Sequence, residues 1–232
     1  MSNPQTFTRE RAVVCLSGGM DSAVCTALAA REYETYGLHF SYGQRTEQRE
    51  LQSARTVAEL LGVQQFLPLR VDLFRIIGGS ALTDISIDVP VAPAVEKIGA
   101  EIPVTYVPFR NAHFLSAAVS WAEVLGAKKI FIGAVEQDSS GYPDCRPAYY
   151  EAFQQLIRTG TRDGDIEVVT PLIALKKRQI VQLGLELGAP FHATWSCYSG
   201  EITACGQCES CALRLRAFAE ADAVDPIPYT SH

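Results

Sequence analysis

The 232-residue sequence has no apolar run approaching the ~20 residues needed to span a bilayer. Met1 to Arg11 lack the apolar h-region of a secretory signal, so a cytoplasmic protein with no membrane partner is expected. There is no surplus of positive charge. Twenty Lys and Arg stand against 26 Asp and Glu, for a net charge of -6, which argues against extended contact with a nucleic-acid backbone. Internal repeats and low-complexity tracts are missing. The spacing G-x-x-x-x-G-K-[ST] and the pattern G-x-G-x-x-G are missing too, which excludes the two commonest glycine-rich phosphate loops. Seven cysteines, odd in number and concentrated near one end, do not read as a disulfide framework; metal binding or free thiols fit better.

Hydrophobic residues make up 47% of the chain, enough for one sizeable core with a small appended segment. The stretch around which the chain is arranged is Ser17-Gly18-Gly19-Met20-Asp21-Ser22, directly after the apolar run Ala12 to Leu16 and before the helical stretch Ala23 to Arg31. A strand, a glycine-rich bend and a helix start together suit an anion, because glycine lets consecutive N–H groups turn inward and the helix dipole adds positive charge. Ser17 and Ser22 supply hydroxyls. Asp21 suits either the helix cap or a phosphate-bound magnesium ion. An ordinary tight turn is the alternative. The stretch resembles the loop of the N-type ATP pyrophosphatases, which cleave ATP between its α and β phosphates.

Further along, Tyr36 to Phe40 and Gln65 to Leu69 read as strands around a helix over Thr46 to Leu61. This gives a βαβαβ opening and an α/β fold, an open, mostly parallel sheet with helices on both faces. Gly78 to Pro103 lose periodicity and form a long loop, a candidate lid. Phe114, Leu115, Ala118, Val119, Ala122 and Leu125 mark a helix, Lys129 to Ala134 a strand, Val168 to Leu172 another strand, and Lys176 to Leu187 another helix. The expected division is an α/β domain over 1–190 and a terminal segment over 191–232. Arg110, Asp144 and Arg146, placed after strands, are a solvated surface, an internal salt bridge or, for the two arginines, ligand contacts, since an Arg fork holds carboxylate or phosphate bidentately.

Cys197, Cys205, Cys208 and Cys211 are separated by seven, two and two residues. Four thiolates suit a tetrahedral Zn2+ in a closed, structural site; an iron–sulfur cluster and unligated thiols are the alternatives. Cys15 and Cys25 sit in apolar runs and read as core.

Taken together, SGGMDS, HFSYGQR (39–45), YVPFRN (106–111), SGYPDCR (140–146), TPL (170–172) and TWSCY with the three later cysteines resemble the 7-cyano-7-deazaguanine synthase family, over about Ala12 to Asp225. The resemblance implies conversion of 7-carboxy-7-deazaguanine to the nitrile with ammonia and ATP, in queuosine biosynthesis, by a zinc-binding homodimer. It implies ATP and Mg2+ at Leu16 to Ala23, and deazaguanine near Tyr42, Gln44, Arg110, Asn111, Tyr142, Asp144 and Arg146. Asp21, Ser17, Arg110 and Arg146 are then the catalytic candidates. Phe109, Ser139, Gln179 and Ala134-Val135 depart from the family's usual residues. Rival readings are an amide-forming relative, a tRNA sulfurtransferase and a non-catalytic nucleotide-binding zinc module.

Overall fold

The computed structural model describes residues 9–92, 98, 101–137 and 141–230, so Ser139 and part of the candidate lid lie outside the described residues. Five strands form one sheet: β1 (Arg11–Cys15), β2 (Glu34–Ser41), β3 (Gln65–Arg70), β4 (Lys129–Ile132) and β5 (Glu167–Val169). All are parallel, in the order β3-β2-β1-β4-β5. The helices are α1 (Met20–Ala30), α2 (Glu47–Leu60), α3 (Leu73–Ile77), α4 (Arg110–Leu125), α5 (Pro147–Gly160), α6 (Lys177–Leu187) and α7 (Glu209–Glu220).

Side-chain alternation on the central strands separates two cores. Val13 and Cys15 of β1, with Leu38, Phe40, Ile130 and Ile132, pack against α4 and α5 through Leu115, Ala118, Ala122, Phe153 and Ile157. Ala12 and Val14, with Phe131, face α1, α6 and α7 through Val24, Ile180, Val181 and Phe218. Burial on both faces explains why β1 and β2 read as continuous apolar runs. The expected open α/β sheet with helices on both faces is what forms.

The order places β1 between β2 and β4, so the chain reverses direction across the sheet at the β1–β4 seam. In open α/β sheets the crevice for ligands lies outside the carboxyl ends of the strands at this reversal. The stretch from Leu16 to Ser22 leaves β1 there.

One expected element is corrected. The strand Val168 to Leu172 is shorter, Glu167–Val169, because Pro171 lacks the N–H that a ladder needs; Leu172 is instead fully buried beyond it. The segment after Arg146 forms the helix α5, and the terminal helix α7 starts directly after Cys208.

Gly184 of α6 shows how tightly the second core is packed. A Cβ there would lie 2.3 Å from Phe191 Cζ and 2.7 Å from Val24 Cγ2. Gly184→Ala therefore destabilises the protein by about 1–3 kcal/mol of overpacking, although alanine is the better helix former. Calorimetry should show the melting temperature falling by roughly 2–4 °C per kcal/mol; a rise would contradict this packing.

Candidate active site and cysteine cluster

The loop after β1 builds its own geometry. Gly18 has φ +91°, and a Cβ there would come within 2.5 Å of the Glu50 carbonyl oxygen and 2.9 Å of Ala54 N, so only glycine lets the loop lie against α2. Ser17 Oγ accepts the Gly19 N–H (3.2 Å) and is 3.0 Å from Ser22 Oγ, which donates to the Gly19 carbonyl (2.9 Å). Helix α1 begins at Met20 with Gly19 as its N-cap, and no side chain caps it. Its first-turn N–H groups therefore face the crevice, as at any helix start.

Asp21 lies inside that first turn and is not the cap. Lys177, at the start of α6, donates to Asp21 Oδ2 at 2.5 Å. Asp21 Oδ1 is buried and has no hydrogen-bond partner. An acceptor oxygen left open beside a phosphate-type loop is the donor a phosphate-bound Mg2+ takes, so the residues fit that ion. Lys177 escaped the sequence reading because nothing near the glycines marks it; it reaches the loop from another helix.

A cavity of about 290 Å³ opens at this point, and its wall unites both expected segments. Leu16, Ser17, Gly19, Met20, Asp21 and Ser22 line one end; Tyr42, Gln44, Arg110, Asn111 and Tyr142 line the other. Gly18 and Ala23 stand behind the lining. Asp144 and Arg146 are not part of it either, contrary to expectation. Asp144 is buried, 3% exposed, and its Oδ2 accepts the Asn111 N–H (3.0 Å). Helix α4 starts without a side-chain cap from its own flank, and Asp144 meets one of its free donors. Arg146 is exposed at the start of α5. Cys145, between them, does line the cavity.

Arg110 is the one expected arginine that faces the cavity. Its Nη1 donates to Tyr42 Oη (3.3 Å) and its Nη2 to Asn111 Oδ1 (3.3 Å), and its guanidinium sits over the Tyr42 and Phe114 rings at 5.7 and 5.6 Å. Burial opposes its charge, but Tyr42, Tyr142 and Asp144 outweigh it, so its pKa is raised and the cation persists. Phe109, just before it, adopts a left-handed backbone (φ 58°), held by its N–H donating to Tyr106 Oη (2.9 Å). The Phe109 ring is 59% exposed and is not among the residues lining the cavity, so this departure from the family pattern does not narrow it. Gln179 serves as a cap, its Oε1 accepting the Lys176 N–H at 2.9 Å.

The thiols in the cavity are not activated. Burial pushes the Cys15 thiol up to about 12, and burial with the Asp144 carboxylate pushes Cys145 up to about 11. Neither is a thiolate near neutral pH.

The four late cysteines converge as expected, with sulfur atoms within 4.8 Å of one another and Cys205 Sγ 3.9 Å from Cys211 Sγ. Tetrahedral ligands about 2.3 Å from a zinc ion lie roughly 3.8 Å apart, so the donor set and spacing fit a closed four-sulfur metal site. The Cys208 and Cys211 thiols, then the N–H groups of Cys205 and Gly200, hold the Cys197 thiol well below its ordinary value. Two flanking segments tie the cluster to the cavity. Arg214 of α7, 2% exposed, pairs with Asp225 (2.7 Å) and donates to Thr194 Oγ1 (2.8 Å) and Ser196 Oγ (3.3 Å); Ser196 and Arg214 line the cavity. Trp195 donates its backbone N–H to the Gly18 carbonyl (2.8 Å) and its indole N–H to the Gly200 carbonyl (2.9 Å).

The candidate lid is attached rather than free where it is described. Arg45 donates to the carbonyls of Ala81 (2.7 Å), Asp84 (3.3 Å) and Ile87 (2.6 Å). Val91 bridges to Cys208, and the Ala92 N–H donates to the Gln207 carbonyl (2.8 Å).

A parallel sheet with a glycine-rich turn at its reversal point, and a four-cysteine segment whose neighbours line the same cavity, define an open α/β protein with a phosphate-type loop. Within it, residues 11–222 match the family model described as queuosine biosynthesis protein QueC, and the chain belongs to that family. It is 79% identical to a protein of Acidobacterium capsulatum named 7-cyano-7-deazaguanine synthase, over 97% of this chain and 98% of that one. Proteins of the same name from Koribacter versatilis and Chlorobium chlorochromatii are 68% and 58% identical, each over 94% of this chain and over 93% and 96% of theirs.

Removing one ligand tests the metal site. Cys208→Ser should lower the metal-to-protein ratio and the melting temperature together, the latter by on the order of 5 °C. Elemental analysis and calorimetry of the same preparation check this, and unchanged stoichiometry contradicts it.

Proposed function

We propose that the protein is a 7-cyano-7-deazaguanine synthase, which converts 7-carboxy-7-deazaguanine, ammonia and ATP to the 7-cyano base in queuosine biosynthesis. The observation that carries this reading is one cavity with two unlike ends. At one end is a helix start with Lys177 and the open Asp21 Oδ1; at the other is the half-buried cation of Arg110, which forms no ion pair among the described residues. The names of the relatives supply the product, the 7-cyano base; the carboxylate substrate, ammonia and ATP follow from the resemblance of the motifs.

The chemistry follows from the reactivity of a carboxylate, which is a poor electrophile until it carries a leaving group. The substrate carboxylate oxygen attacks the α phosphorus of ATP and pyrophosphate leaves, giving the acyl adenylate. Ammonia adds to the acyl carbon, AMP departs and one proton is released, giving the amide. The amide oxygen then attacks the α phosphorus of a second ATP; loss of pyrophosphate, then of AMP and the amide protons, leaves the nitrile. One nucleotide site serves both adenylations.

In this reading the loop N–H groups and Lys177 hold the departing pyrophosphate. Asp21 Oδ1 holds Mg2+, which offsets phosphate charge when bound. Ser17 fixes the loop, and Arg110 orients the carboxylate. Catalysis rests on positioning and on charge stabilisation, with no covalent enzyme intermediate. Zn2+ in the four-cysteine site has a structural role, with no ligand position left for water. The reading includes a homodimer in the cytoplasm, acting on small molecules without nucleic acid; among the described residues no helix is long and apolar enough to cross a membrane.

Mass spectrometry of a reaction with isotopically labelled ammonium tests the activity. The expected product is the nitrile with one labelled nitrogen, with two AMP and two pyrophosphate formed per nitrile. A product that stops at the amide, or no AMP, overturns it. Asp21→Ala should slow pyrophosphate release by on the order of 10²–10³-fold while the circular dichroism spectrum is retained; normal turnover would remove the assigned role.

A further inference from the structure

Glu50 of α2 lines the cavity and has no part in the chemistry above. It is a carboxylate enclosed by protein whose hydrogen bonds come from neutral donors: Gln44 Nε2 reaches Oε2 at 3.0 Å and Thr46 Oγ1 reaches Oε1 at 2.8 Å. It forms no ion pair among the described residues. Burial pushes its pKa up, against the pull of those two hydrogen bonds and of Arg110. A half-buried carboxylate without a paired cation is costly unless something completes its shell, and each oxygen keeps acceptor capacity toward the cavity.

Its position is fixed from two sides. The loop lies against the Glu50 backbone, where a Cβ on Gly18 would come within 2.5 Å of the Glu50 carbonyl oxygen, so α2 carries Glu50 directly beside the loop. On the other side a hydrogen-bonded chain runs from Glu50 to Gln44 Nε2, from Gln44 Oε1 to the Tyr42 N–H (2.8 Å), and from Tyr42 Oη to Arg110 (3.3 Å). Glu50 and Arg110 thus stand at the two ends of one rigid chain along the cavity wall. The rings of Phe40 and Phe114, stacked at 4.0 Å, and Leu82 supply apolar wall beside it.

We propose that Glu50 is the residue that selects the base: its two oxygens accept the N1–H and 2-amino donors of a guanine-type ring whose opposite, carboxylate-bearing end lies toward Arg110. This rests on the proposed function and adds the recognition of its ring. An ionised carboxylate accepts two donors side by side and offers none. Adenine presents an amine donor next to a ring acceptor on its corresponding edge, so the same carboxylate rejects it in favour of guanine. A cavity that must hold two different bases at once needs such a discriminator.

The experiment is calorimetric titration of the wild-type protein and Glu50→Gln with 7-carboxy-7-deazaguanine and with its 2-desamino analogue, and of both proteins with magnesium ATP. Wild type should bind the parent base on the order of 10-fold or more tighter than the analogue. Glu50→Gln, which turns one acceptor into a donor, should lose on the order of 10- to 100-fold for the parent and discriminate between the two ligands by less than about threefold, with ATP binding unchanged. Glu50→Asp, which keeps the charge but withdraws it, should lose affinity for the parent in the same direction and stands in if Glu50→Gln does not fold. Equal discrimination in wild type and variant overturns the inference, as does a fall in kcat at unchanged affinity or a loss confined to ATP. Failure of wild type to bind the parent base at all would instead overturn the proposed function.

Discussion

The hydrogen bond from the Trp195 N–H to the Gly18 carbonyl, 2.8 Å long, joins the two parts of the chain that define the site. Gly18 is the turn of the phosphate-type loop, and Trp195 is two residues before the first clustered cysteine. The indole beside that bond is 1% exposed, lies under the Arg49 guanidinium at 4.5 Å and is tied to Gly200. A loop that must point its N–H groups at a ligand needs its carbonyls satisfied elsewhere, and here the C-terminal hook satisfies one of them. The cysteine cluster thus stands directly behind the cavity wall, which its neighbours Ser196, Tyr198, Ser210 and Arg214 line.

The cavity also carries a cation at each end. Lys177, paired with Asp21, and the start of α1 stand at one end and Arg110 at the other, with Glu50 on the wall joined to Arg110 through Gln44 and Tyr42. Each cation is partly or wholly enclosed, where a charge acts more strongly than in water. A site arranged like this stabilises anions that form or leave during a reaction without supplying a nucleophile, and the protonated thiols of Cys15 and Cys145 agree with that.

Much of the fold was legible because its signals are local. Apolar runs marked β1, β2 and β4, helical spacing marked α2, α4 and α6, and four cysteines at short spacing announced their own convergence. Helix α5 is less legible, although Tyr150, Phe153 and Ile157 have helical spacing and Pro147 opens it, because a polar, turn-rich run leads straight into its first turn with no capping side chain. In the site, Tyr42, Gln44, Arg110, Asn111 and Tyr142 were found through segments that resemble a family. Asp144 and Arg146 were placed with them because sequence proximity does not tell which way a side chain turns: the tight turn at Pro143–Cys145 sends Asp144 to the start of α4 and leaves Arg146 outside. Lys177, Glu50 and Arg214 were missed for the complementary reason, each arriving from a helix distant in sequence with no motif around it.

The strand order has a consequence in time. Strand β1 leaves the ribosome before the rest of the sheet, and β2 and β3 can pair beside it soon after. Its other neighbour, β4, is separated from it by α1 through α4, so the far edge of β1, with the buried Val13 and Val14, waits uncovered while roughly half the chain is made. The cysteine hook comes later still. During synthesis the nucleotide end of the cavity therefore exists in outline well before its last wall, and a nascent chain has reason to be guarded at the centre of its sheet rather than at its rim.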